Sequence, residues 1–142
     1  MTTPLSPATD LPGIFRRAVQ VIQTNGLHKG AFVAPACIQD ASGAYHVNPQ
    51  DEVLRPVDIV GAIRIACGQS PTCSGGFMAE RAIRYASDHM LTTAPETDGE
   101  PDYIEHLCFW NDLGTSSPFE VVGRLDRLAL NAEVDAERSV AA

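Results

Sequence analysis

The stretch richest in chemistry is His106-Leu-Cys-Phe-Trp-Asn-Asp112, which holds a histidine, a cysteine, the only tryptophan and an Asn-Asp pair. On a helix, Asp102, His106 and Trp110 stand at successive four-residue steps along one face, whereas Ile104, Leu107 and Cys108 share another. The first stripe can do acid–base work on a low-molecular-weight metabolite. An imidazole titrates near neutrality, Asp102 or Asp112 can orient it, and Tyr103 and Trp110 can shape a pocket. The same residues also admit an architectural reading. Trp110 is large enough to plug the core between two helices, and Asn111 and Asp112 can satisfy free backbone groups where one helix ends and the next begins. Because Asn and Asp are enriched at such turns for that local reason, the architectural role is the one expected, with bonds to neighbouring backbone.

Other constellations are poorer. The four cysteines, Cys37, Cys67, Cys73 and Cys108, show no Cys-x-x-Cys spacing, so neither a structural metal nor any other cofactor is expected. No Gly-x-Ser-x-Gly elbow marks a serine nucleophile, and Gly68-Gln-Ser-Pro-Thr-Cys-Ser-Gly-Gly76 lacks the lysine of a phosphate-binding loop. Arg16, Arg17, Arg81 and Arg84 are too scattered to make a DNA-reading regulator more than a second alternative.

Charge points the other way. The net charge of −8 resides wholly between Tyr85 and Gly123, where eight acids, Asp88 to Glu120, occur with no lysine or arginine. Such a stretch repels a phosphate backbone and suits a protein partner with a basic surface, or a second copy offering its Arg16, Arg17 and Lys29 side. The favoured function is therefore a non-catalytic binding or accessory protein that uses an acidic face near Trp110, Asn111 and Asp112. The alternative is a small enzyme with His106 as acid/base, and in either case a small-molecule ligand is conceivable.

The elements that must position these residues are mainly helical. At 142 residues and 44% hydrophobic, the chain has the size and apolar content of one domain. Residues 1–9 read as a flexible leader, 10–134 as a single helical domain of about five helices, and 135–142 as a flexible tail. Asp10 and Pro12 start the first helix and Asn25-Gly26 ends it. Residues 29–48 break into short apolar segments around Asp40-Ala-Ser-Gly43, the pattern of a small irregular hairpin. Pro56 is expected at the start of a second, thoroughly buried helix, and Ser74 at the cap of a third with an outer Glu80/Arg84 pair. Residues 92–101 read as a polar loop. Asp102-Tyr-Ile-Glu105 then opens a short fourth helix, and Ser117-Pro-Phe-Glu120 opens a fifth. No run of about 18 apolar residues or secretory leader is evident, so a cytoplasmic protein with no membrane span is expected.

Three segments carry a resemblance: Ile14-Phe-Arg-Arg-Ala-Val-Gln-Val-Ile-Gln-Thr-Asn-Gly-Leu-His-Lys-Gly-Ala-Phe32, the Ala/Gly-rich Val57 to Gly68, and Phe109-Trp-Asn-Asp112 followed by Pro118 to Ala129. Together they resemble a family of small uncharacterised actinobacterial proteins over most of residues 13–133, with Trp-Asn-Asp as its specific signature. The resemblance implies a source and a fold but no mechanism. Nine arginines against one lysine fit a high-GC bacterial source.

Overall fold

A computed structural model describes residues 9–114 and 117–141. Among these, the chain is mainly α, with helices α1 (Leu11–Asn25), α2 (Ile59–Ala66), α3 (Phe77–Asp88), α4 (Tyr103–Phe109) and α5 (Pro118–Ala141). A two-stranded antiparallel hairpin, β1 (Cys37–Gln39) with β2 (Tyr45–Val47), is inserted between α1 and α2. It is the irregular hairpin expected there, turned by the Asp40 carboxylate, which accepts from the Ser42 and Ala44 amides.

α1 begins where Asp10 Oδ1 accepts the Gly13 N–H at 2.8 Å, and it ends where the Gly26 N–H reaches the Ile22 carbonyl at a φ of +97°. Its inner stripe, Ile14, Phe15, Ala18, Val21 and Ile22, packs on α5 and α2, where Ile59, Ile63, Val121, Leu125 and Leu128 complete the core.

α2 is buried nearly all round, as its composition implies. It does not begin at Pro56, however. Val57 is held extended by bridges to Leu27 and Val33, its N–H donating to Gly26 and its carbonyl accepting from His28, so those backbone groups are unavailable to a helix. The helix starts at Ile59, capped by Asp58, whose Oδ1 accepts the Gly61 N–H at 2.7 Å. The segment before Val33 presses so closely that a Cβ on Gly61 would lie 2.4 Å from the Phe32 carbonyl oxygen.

Ser74 does not cap α3 either. Gly75 and Gly76 both take positive φ (91° and 85°) and swing the chain directly into the helix, leaving the first turn without a side-chain cap. Arg84 pairs with Asp88 at 3.8 Å rather than with Glu80. The expected polar loop contains a second small hairpin, β3 (Glu96–Thr97) with β4 (Glu100–Pro101). Asp98 and Gly99 turn it at φ values of 53° and 82°. α5 starts at Pro118 as expected and runs on past Val134 to Ala141. The Tyr85 hydroxyl, donating to Asp135 at 2.6 Å, ties that continuation to α3.

Candidate functional site

α4 is a short helix of seven residues. Asp102 caps it, Oδ1 accepting the Glu105 N–H at 2.9 Å while Oδ2 accepts the Thr97 hydroxyl at 3.0 Å. The Asp102 carboxylate, expected as a partner that could orient His106, is thus used at the helix end. His106 instead points inward, 5% exposed, with Nδ1 2.6 Å from Ser87 Oγ and Nε2 2.7 Å from Thr92 Oγ1. Burial holds its pKa below the usual histidine value, against a smaller opposing influence of Asp88. A neutral imidazole with both nitrogens engaged is a polar clamp between α3 and α4. Tyr103 lies at the half-buried rim with the Arg84 guanidinium 5.5 Å above its ring.

After Phe109 the backbone widens into a π-type turn, Trp110–Gly114. Trp110 lies only partly buried against the core, with Arg124 of α5 5.9 Å from its ring. It rims the core rather than plugging it. Gly114 makes room for it, since a Cβ there would meet the indole Cδ1 at 2.7 Å.

Asn111 is the buried member, at 0% exposure. Its Oδ1 accepts the Ile59 N–H at 3.0 Å, satisfying a first-turn amide of α2, and its Nδ2 donates to the His28 carbonyl at 3.0 Å and to Asp112 Oδ1 at 3.2 Å. Asp112 Oδ1 in turn accepts the Gly30 N–H at 2.9 Å. The Asn-Asp pair therefore bonds to backbone far away in sequence, not to the adjoining turn. It fastens the end of α4 to the 28–30 segment and to the start of α2.

That fastening creates a cleft of about 510 Å³ lined by Phe32, Asp58, Glu105, Cys108, Phe109, Asp112 and Leu113 with the backbone of Gly30 and Ala31. His106 is not among its walls. Asp58 is, at 1% exposure, with Cys108 Sγ 3.7 Å from Oδ2. Burial lifts the Asp58 pKa to about 6; the Gly61 amide and the Cys108 thiol draw it down, the Asp112 charge raises it, and Arg64 lowers it. The Cys108 thiol is pushed up to about 12, first by burial and then by the charges of Asp58, Asp112 and Glu105, so it is a protonated donor and not a nucleophile. Three carboxylates converge on apolar walls with no lysine or arginine among the lining residues. Among the described residues no three His, Cys, Asp or Glu side chains group in a way that could hold a metal ion.

Sequence reasoning missed Asp58 and Cys108. Asp58 was legible as a cap, three residues before Gly61 and ahead of an apolar run, but its place beside Asp112 depends on contacts spanning half the chain.

Fold and site together describe a small, mainly helical protein with an acidic cleft organised by an Asn-Asp staple. The chain belongs to the DUF6197 family, a family of unknown function, whose model matches residues 6–131. No curated protein and no solved structure matches it.

Proposed function

We propose that this protein is a non-catalytic binding or accessory protein whose acidic cleft receives a cationic side chain, lysine or arginine, of a partner protein. The observation that carries the reading is Asp58: a carboxylate 1% exposed at the wall of a cleft that also holds Glu105 and Asp112 and no base. Burying a carboxylate is costly unless a positive charge compensates it, and an incoming ammonium or guanidinium supplies that charge. Phe109 and Leu113, 60% and 72% exposed, give the aliphatic stem of such a side chain an apolar rim. The acidity of the cleft argues against nucleic acid. In this reading the protein is cytoplasmic and of actinobacterial origin, with Trp-Asn-Asp as the signature of the fold element that builds the cleft. No described helix is long and apolar enough to cross a membrane.

A second reading is supported by the same carboxyl. With its pKa near neutrality, Asp58, rather than His106, has the property of a general acid/base toward a small metabolite. One titration separates the readings. Isotope-labelled protein is mixed with a short peptide containing Lys beside Phe, and with the same peptide carrying norleucine for Lys. Binding predicts amide shifts at Gly30, Phe32, Cys108 and Leu113 for the lysine peptide alone, weakened by salt and by Asp112→Asn. Equal response to both peptides, or none to either, defeats the cation-binding reading.

A further inference from the structure

We infer that the groove between the first turns of α3 and the β3–β4 hairpin is a homodimer interface, filled by Phe77 of a second copy of this chain. Phe77 is 79% exposed at the first position of α3. It stands at the edge of a groove of about 610 Å³ whose apolar wall is made by Ile83, Pro101, Tyr103 and Ile104. Arg81 and Glu100 frame the same groove with opposite charges, and the ion pairs among the described residues use neither of them; of the other charged lining residues, Arg84 pairs with Asp88, Asp102 is taken up in capping α4, and Glu80 adds a second acid beside Arg81.

A two-fold contact sets a patch against its own copy, so it is stable only where the patch complements itself, projection beside recess and both signs of charge together. This groove meets both conditions. Phe77 is the projection and lies beside the recess, while Arg81 of one copy can meet Glu100 of the other. The acidic cleft fails the same test, since two copies would oppose carboxylate to carboxylate across Phe109 and Leu113. Leu91 and Phe119, exposed at 98% and 88%, line neither this groove nor the acidic cleft. Exposed apolar surface is common, but an exposed aromatic anchor next to a fitting recess has the form of an interface hot spot.

Sedimentation equilibrium over a wide concentration range tests the inference. The parent chain is expected to dimerise, and Phe77→Ala to weaken the dimer Kd by about 30-fold or more, the effect of losing a central aromatic anchor. Because Phe77 is exposed, circular dichroism should show that variant fully folded. Arg81→Glu and Glu100→Arg should each weaken dimerisation, and the double variant should restore it. Asp112→Asn, in the other cleft, should leave it unchanged. A parent chain that stays monomeric at the highest loading, a dimer indifferent to Phe77→Ala, or a double variant no better than the singles would overturn the inference.

Discussion

Replacing Asn111 by alanine removes the amide that joins three parts of the fold. The Ile59 N–H and the His28 carbonyl lose their partner, and Asp112 loses one of its two donors. A buried polar backbone group left without a bond costs about 1–3 kcal/mol. Two such groups and a small cavity in a site of 0% exposure therefore sum to about 3–5 kcal/mol, allowing for partial rescue by water entering from the cleft. That is a large part of the roughly 5–15 kcal/mol that holds a small domain folded. Asp112→Ala, by contrast, loses the bonds from the Gly30 N–H and from Asn111 Nδ2 at a half-exposed position that water can reach, while Asn111 keeps its bond to the His28 carbonyl, and should cost about 1 kcal/mol. Asn111→Asp sharpens the test. Its shape is nearly the same, but the oxygen replacing Nδ2 faces the His28 carbonyl and the Asp112 carboxylate. The new carboxyl can bond there only when protonated, so its pKa in the folded state is raised. The deficit should thus be smallest below about pH 4, the unfolded carboxyl value, and grow as pH rises. Urea denaturation with common slopes reads all three variants. An Asn111→Ala midpoint within about 0.5 kcal/mol of the parent, the size of an ordinary surface change, would refute the staple.

Three shorter predictions follow from the same geometry. Asp58, raised from 3.8 to about 6 on folding, contributes stability that is present below about pH 4 and lost as pH rises through about 6. Relative to Asp58→Asn, which keeps the oxygen that caps Gly61, the parent should lose about 3 kcal/mol across that window in pH-dependent melts; parallel pH profiles would contradict it. Gly61→Ala should cost about 3 kcal/mol or more, because the added Cβ meets the Phe32 carbonyl at 2.4 Å and backbone must move; chemical denaturation checks this, and a tolerated alanine would show a looser crossing. In the native protein at mildly alkaline pH, exposed Cys37 and Cys73 should be alkylated well before Cys108, and mass mapping that finds Cys108 first would refute its protonated state.

The helical elements were legible in the sequence because their signals are local. Asp10, Asp102 and Pro118 mark helix starts by short-range chemistry, and each stands where α1, α4 and α5 begin. The misplaced starts have non-local causes. Pro56 looks like a first-turn proline, yet Val57 is captured by Gly26 and His28, partners some thirty residues away. The Asp98-Gly99 turn was a readable signal, hidden by the polarity of its surroundings and by strands of only two residues each. The Trp-Asn-Asp motif stood out in the sequence, but which of its members is buried did not. A tryptophan is the natural core plug by size, whereas here the fully buried residue is the asparagine, whose amide fits two distant backbone groups at once. The acidity around the site was visible as a charge bias, but its floor was not, since Asp58 and Cys108 meet only when α2 and α4 pack.

The most direct test of the cleft is a carboxyl-detected NMR titration of Asp58, assigned with Asp58→Asn, in the free protein and with the Lys-Phe peptide bound. Cation binding in the cleft requires a free pKa near 6 that falls when the peptide is bound, because an adjacent positive charge favours the carboxylate, and affinity that rises as pH passes through that value. A free pKa in the ordinary range near 3.8, or a raised pKa that the peptide does not move, would contradict it.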